Sequence, residues 1–221
     1  MPDIAKGILI VLLAIAFAGA DALLINFACG HPLTMPEAAL AGGVFGLLYG
    51  LEAGILLIYD LASLKGWAAL LVDFSWSLPN TIWGFVIGNC IFWIFGQPSR
   101  AESRAAGWIV FVPRSGSGFG HSTLQTHGTL NLGGSGQHEK MHLLQARIFG
   151  PLFLPIYAVN YVVNFVVQGL WTITVGLLLW KLGIRDTPYF RPSTDSVVQG
   201  FFGWIYYATL FEFWAYSSGN P

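Results

Sequence analysis

The segment from Gly7 to Ala28 carries a single charged side chain, Asp21, in an otherwise apolar run. Within hydrocarbon the backbone N–H and C=O groups must be satisfied internally, so a run of this length that meets lipid has to be helical. Four further apolar segments read the same way: Glu37 to Tyr59, Trp67 to Phe95, Ile148 to Leu182 and Val197 to Tyr216. The 221-residue chain is 55% hydrophobic and only 10% charged, with a mean hydropathy of +0.63, which is too apolar for an ordinary soluble domain. The expected fold is mainly α: a polytopic transmembrane helical bundle of about five spans in contact with a lipid bilayer.

Ala16-Phe17-Ala18 followed by small residues imitates a signal-peptide cleavage site, but one lysine makes a weak leading region, and the segment reads as a retained first span. A net charge of −1 and the lack of a basic tract argue against a nucleic-acid partner. Cys29 and Cys90 have neither metal-ligand spacing nor the density of a disulfide scaffold.

Three regions follow from the composition. Residues 1–96 form an N-terminal membrane region of about three spans. Residues 97–147, richer in Arg, Ser, Gly and His, form an extramembrane β segment and a helix. Residues 148–221 form a C-terminal membrane hairpin. In the first region Gly42, Gly46, Gly50 and Gly54 recur every four residues on one helix face, the pattern of close helix packing, within the chain or in a dimer. Asp73-Phe74-Ser75-Trp76-Ser77-Leu78-Pro79-Asn80-Thr81 interrupts the third segment with polar groups and a proline, predicting a kink or break. In the middle region Trp108 to Val112 reads as a strand, Gly118 to Leu132 alternates partly, and Gly133 to Gly136 is a break.

After that break stands His138-Glu139-Lys140-Met141-His142, an H-E-x-x-H pattern. Two histidines four apart share one helix face, so both can reach one Zn²⁺, while the intervening Glu139 points aside and suits a general base. A catalytic zinc needs a third protein ligand. If the segment after His142 crosses the membrane and the last segment returns, Glu212 arrives on the motif's own side. The expected metal ligands are therefore His138, His142 and Glu212, and the chemistry is peptide hydrolysis with Glu139 moving the proton. A solvent-exposed interfacial role for Glu212, and a helix turn on which the two histidines bind nothing, are the plainer alternatives.

The stretch His138 to Pro155, with Gln145-Ala146-Arg147 and Gly150-Pro151-Leu152, resembles small bacterial membrane proteins that carry an HExxH. Phe211-Glu212-Phe213-Trp214-Ala215-Tyr216 is similar to the element that supplies the glutamate ligand in gluzincin-type zinc metallopeptidases, and Ser75 to Thr81 is a weaker echo of the same bacterial proteins. The resemblance implies Glu212 as the third ligand, a polypeptide substrate and the bacterial inner (cytoplasmic) membrane. Thr209-Leu210 stands where that pattern often has Asn-Pro.

Other residues offer competing readings. His121 and His127 could support the ligands from behind or touch substrate. Asp21, Glu52 and Asp73 lie inside expected spans, where a lone charge is costly, with Asn80 or Asn89 as possible partners and no basic residue deep in the spans. They allow a proton or ion pathway as a different function. A third possibility is a non-catalytic subunit of a larger membrane assembly, or of a homo-oligomer, with a structural or empty metal site. Asn160, Asn164 and Gln168 share one face of the fourth span and suit interhelical hydrogen bonds.

Overall fold

A computed structural model describes residues 1–115, 125–133, 136–183 and 197–218. It is mainly helical and divides into two compact units, Met1–Pro151 and Leu152–Pro221.

The first unit opens with a helical hairpin, α1 (Asp3–Ala28) and α2 (Met35–Leu56). The small residues at every fourth position let the two backbones touch. A Cβ on Gly42 would lie 2.3 Å from the Ala18 carbonyl oxygen, and one on Gly46 would lie 2.4 Å from that of Ala14. The glycine face therefore packs within the chain, as its spacing predicts. Asn26 closes the connection by exchanging two hydrogen bonds of 3.0 Å with the Leu33 backbone, and Thr34 with Glu37 forms a capping box that starts α2.

The third apolar segment is broken, and the break is sharper than a kink. α3 (Leu64–Asp73) ends at the polar stretch, a turn follows, and a new helical run begins at Leu78 with Pro79 in its first turn. That run consists of α4 (Leu78–Trp83), a π-helical turn (Gly84–Gly88) and α5 (Asn89–Phe95). Proline suits this start because the first-turn N–H groups have no intrahelical partner.

Strand β1 (Gly96–Pro98) follows at once, then α6 (Arg100–Ala106), β2 (Ile109–Pro113), β3 (Gln125–His127) and β4 (Leu130–Leu132). They form one four-stranded sheet in the order β1-β2-β4-β3, with β2 and β4 parallel and the other pairs antiparallel. β1 and α6 are not anticipated by the sequence pattern, being too short to carry periodicity. Ile109, Phe111, Leu130 and Leu132 share one core with Ile10, Tyr49, Phe74 and Phe92. Residues from both sides of position 96/97 thus meet in one core. The sheet closes on the helices at Gly128, where φ is +56° and a Cβ would lie 1.9 Å from the Asn80 carbonyl oxygen, so only glycine fits.

The motif helix α7 (Gln137–Phe149) completes this unit with a 3₁₀ turn at Gly150–Leu152. The second unit contains α8 (Phe153–Trp171), a π-helical turn (Thr172–Gly176), α9 (Leu177–Lys181), α10 (Val197–Tyr207) and α11 (Leu210–Ser217).

Among the described residues four helical stretches are long and apolar enough to cross a membrane: Asp3–Ala28, Met35–Leu56, Leu78–Phe95 and Gln137–Leu179. The expected fifth span is interrupted between α10 and α11, at Ala208 and Thr209. Hydropathy alone does not register that interruption, because its residues are small or apolar.

Candidate metal centre

His138, Glu139 and His142 all lie on α7 and all are buried. The i, i+4 spacing brings the imidazoles together: His138 Nε2 and His142 Nε2 are 3.1 Å apart, with the rings nearly perpendicular at 84°. Gln145, one turn on, places Oε1 2.9 Å from His142 Nδ1. With Gln145 accepting, the His142 proton sits on Nδ1 and the Nε2 lone pair faces His138.

Glu139 points away from this pair, toward the sheet. Its Oε2 accepts hydrogen bonds from Thr126 Oγ1 of β3 and, at 3.4 Å, from Asn131 Nδ2 of β4. Asn131 Nδ2 also donates to Thr126 Oγ1 at 3.0 Å, so the three side chains form one closed polar cluster. A carboxylate three residues into a helix also meets the positive end of the helix dipole.

The C-terminal end of α7 is held by the polar stretch at 73–81. Asn80 Nδ2 donates to the Ala146 and Gly150 carbonyls at 3.1 and 2.8 Å, Ser77 Oγ to Ala146 O at 3.0 Å, and Trp76 Nε1 to Ile148 O at 2.9 Å. These carbonyls lie at the helix end, where backbone carbonyls run out of intrahelical donors, although Ala146 O also accepts the Gly150 N–H. Gly150, at φ +53°, turns the chain directly against the Trp76 indole, where a Cβ would meet ring atoms at 2.4 Å. The stretch that reads as a break in a membrane span is thus the cradle of the motif helix.

Asp73 is fully buried, and the sequence offers it no obvious cation. The structure supplies Arg147, also on α7, whose Nε and Nη2 donate to the two carboxylate oxygens at 2.8 and 2.7 Å. Tyr59 donates to Asp73 Oδ2 at 3.0 Å, and its hydroxyl lies 2.9 Å from that of Tyr49. Burial, reinforced by the Asp73 carboxylate, pushes the Tyr59 hydroxyl well above the usual tyrosine range, so it stays protonated and donating. The expected spans hold no basic residue deep within them, and Asp73 is paired instead with Arg147, at the end of the motif helix, which weakens the case for Asp73 in a proton pathway.

In the second unit Glu212 is buried in the first turn of α11. Tyr157 of α8 donates to its Oε1 at 2.7 Å, and the Phe211 and Tyr157 rings stack at 8°. Thr209 caps the helix in extended conformation, and its hydroxyl donates to Tyr206 O at 2.9 Å. Leu210 occupies the position where the resembled pattern often has proline. It keeps its N–H, which donates to Asn160 Oδ1 at 2.8 Å, so α8 itself fixes the turn that presents Glu212. Asn164 reaches Ile205 O at 3.4 Å, which makes both asparagines backbone anchors for the α10–α11 break.

His138, His142 and Glu212 each offer a ligand atom, and these atoms lie within 4.8 Å of one another. This buried group could hold a metal ion. No family model, curated protein or solved structure matches the chain.

Among the described side chains, the remaining expected residues are outside this group. His121 lies outside the described residues, and of His127 only the backbone, in β3, is described. Glu52 accepts from Asn89 Nδ2 at 2.9 Å, one of the pairings the sequence allows, while Asp21 has a buried Oδ2 without a hydrogen bond among the described residues. Asn80 serves the helix end. Gln145, Arg147, Thr126, Asn131 and Tyr157 escape sequence reasoning. Only the first two had a signal, as the Gln-Ala-Arg run that follows the motif.

Proposed function

We propose that this chain is an integral membrane zinc metallopeptidase that cuts membrane-proximal polypeptide. The observation that carries the reading is the buried group of His138, His142 and Glu212, with ligand atoms within 4.8 Å of one another. Two histidines and one glutamate give zinc three protein ligands and leave one position open, the donor set of a catalytic site. Two imidazole nitrogens on one tetrahedral zinc lie about 3.3 Å apart for Zn–N bonds of about 2.0–2.1 Å. The 3.1 Å between His138 Nε2 and His142 Nε2 fits that separation. Four long apolar helices whose outward faces carry large hydrophobic side chains support the membrane assignment, and the resemblance to bacterial proteins points to the cytoplasmic membrane.

Zinc, when bound, supplies a Lewis acid that polarises a peptide carbonyl and makes water more acidic. The remaining work falls to the chain. Glu139 takes the proton of the attacking water on its carboxylate and passes it to the leaving nitrogen, while Thr126 and Asn131 hold that carboxylate in one orientation. Gln145 keeps the His142 Nε2 lone pair available, and Tyr157 orients Glu212.

The bonds from Thr126 and Asn131 to Glu139 also favour a second reading, in which the glutamate ties α7 to the sheet and the metal is structural in a non-catalytic subunit. Metal analysis and peptidase assays on reconstituted protein separate the two. Wild type and Glu139→Gln are expected to hold about one zinc per chain and His142→Ala none, with cleavage of co-reconstituted single-span polypeptides by the wild type alone. A wild-type protein without zinc overturns the metal reading. Zinc without Glu139-dependent cleavage decides for the structural site.

A further inference from the structure

The basic residues of the first unit gather at one end of the α1–α2 hairpin. Gly7, at the start of α1, meets Gly54, near the end of α2, so closely that a Cβ on Gly7 would lie 2.8 Å from the Gly54 carbonyl oxygen. Lys6 stands at this end. Arg100 and Arg104 of α6 donate to Asp3 Oδ2 at 3.1 and 3.2 Å, which seats α6 beside the start of α1. Lys65 is in the first turn of α3, next to Gly66, which packs on Asp60 in the loop that leaves α2. The Arg114 N–H donates to the carbonyl of Phe95, the last residue of α5, at 2.9 Å. The motif helix joins the same end. Its Leu143 packs with Trp108 and Val110, its Arg147 reaches the Gly107 carbonyl just past α6 at 3.4 Å, and Lys140 is exposed on it.

The other end of the hairpin has no such charge. α1 has 26 residues and α2 has 22, about 39 and 33 Å at 1.5 Å per residue, each enough to cross a hydrocarbon core of about 30 Å. The connection at 29–34 therefore lies across the bilayer from Asp3 and Lys6. From Gly7 to Leu64 the chain has no Lys or Arg, and its only acids are Asp21, Glu37, Glu52 and Asp60.

During insertion, segments rich in Lys and Arg next to a span stay on the cytoplasmic side, whereas Asp and Glu have little influence, and the first span usually dominates. Lys6, Lys65, Arg100, Arg104, Arg114 and Lys140 stand at the motif end, against no basic residue in the 29–34 connection. Arg147 is neutralised by Asp73 and does not enter the comparison. Were Lys181, Arg185 and Arg191 all at the opposite face, the balance would still favour the motif end.

We infer that the motif helix and its metal centre face the cytoplasm, and that the substrates are membrane-anchored polypeptides cut on their cytoplasmic flank. The substrate class rests on the peptidase reading; the orientation does not.

A membrane-impermeant maleimide, applied to sealed vesicles from bacteria that express the full-length protein, tests the orientation. Cys29 is exposed at the 29–34 connection, and Ser115 is exposed beside Arg114 at the motif end. One single-cysteine protein keeps Cys29 and carries Cys90→Ser. The other carries Cys29→Ser, Cys90→Ser and Ser115→Cys, so neither alters a basic residue. Cys29 is expected to react in right-side-out vesicles and to lose its labelling in inside-out ones, and the Ser115→Cys protein to do the reverse. The opposite pattern in either protein overturns the orientation. For the substrate class, single-span polypeptides with distinguishable flanks are expressed beside the wild type and Glu139→Gln. Shortening of the cytoplasmic flank by the wild type alone is expected, and cleavage of the other flank overturns the substrate class. No cleavage by a zinc-loaded wild type overturns the peptidase reading and the substrate class together, while the labelling still decides the orientation.

Discussion

Arg147, near the end of the motif helix, grips Asp73, at the end of α3, through two hydrogen bonds of 2.8 and 2.7 Å. The carboxylate is fully buried and the guanidinium side chain 19% exposed, so the pair is held away from water. Removing one partner leaves an uncompensated charge inside, which costs about 3–5 kcal/mol, whereas a matched apolar pair costs far less. Asp73→Asn is therefore expected to lower the thermal unfolding midpoint in detergent strongly, and Asp73→Leu with Arg147→Met much less than either single change. An unchanged midpoint in Asp73→Asn rules out a structural role for the pair.

Asn80 donates to the Ala146 and Gly150 carbonyls at the end of α7, the first of which also accepts from Ser77 Oγ and from the Gly150 N–H. Asn80→Ala removes the side-chain donor to the buried Gly150 carbonyl and is expected to cost about 1–3 kcal/mol. Ser77→Ala, which removes one of the donors to Ala146 O, is expected to cost about 0.5–1.5 kcal/mol. Unfolding measured side by side in the same detergent checks the order of the two effects.

Gln145 holds the His142 Nδ1 edge. Gln145→Ala is expected to weaken zinc affinity about 10–100-fold while leaving the fold intact, since groups behind metal-binding histidines contribute on that scale. Competition with a fluorescent chelator gives the affinity. A Gln145→Ala protein with wild-type affinity shows that the histidine needs no such support.

The α1–α2 contact depends on missing side chains. Gly46→Leu drives a side chain into the Ala14 carbonyl and is expected to separate the hairpin, with loss of folded protein in size-exclusion chromatography. Gly43 is on the same helix and a Cβ there meets nothing within 4 Å. Gly43→Ala is expected to be neutral or to stabilise by about 0.4–1 kcal/mol, the usual gain where alanine fits the native backbone.

Some of these relationships are present in local sequence. The every-fourth glycines of α2 announce a close helix contact, because helical periodicity alone puts them on one face. The same periodicity puts His138 and His142 together and turns Glu139 aside. The break at Asp73 to Thr81 is legible from its proline and polar residues, but what it does is not. Its donors reach carbonyls about seventy positions later, and no local pattern encodes a partner at that distance. For the same reason Asp73 looks isolated in sequence, although its cation is Arg147.

By itself the sequence determined that the chain is a set of long apolar helices and that two histidines share one helix at metal-binding spacing, with a glutamate turned aside between them. Both follow from composition and from the 3.6-residue period, which need no information beyond neighbouring residues. Tertiary structure decided how the apolar runs are divided, how the strands join the helical core, and what holds each site residue. Those outcomes depend on hydrogen bonds and packing between distant segments: Asn160 on the Leu210 N–H at the α10–α11 break, Gly128 against Asn80, and Thr126 and Asn131 on Glu139.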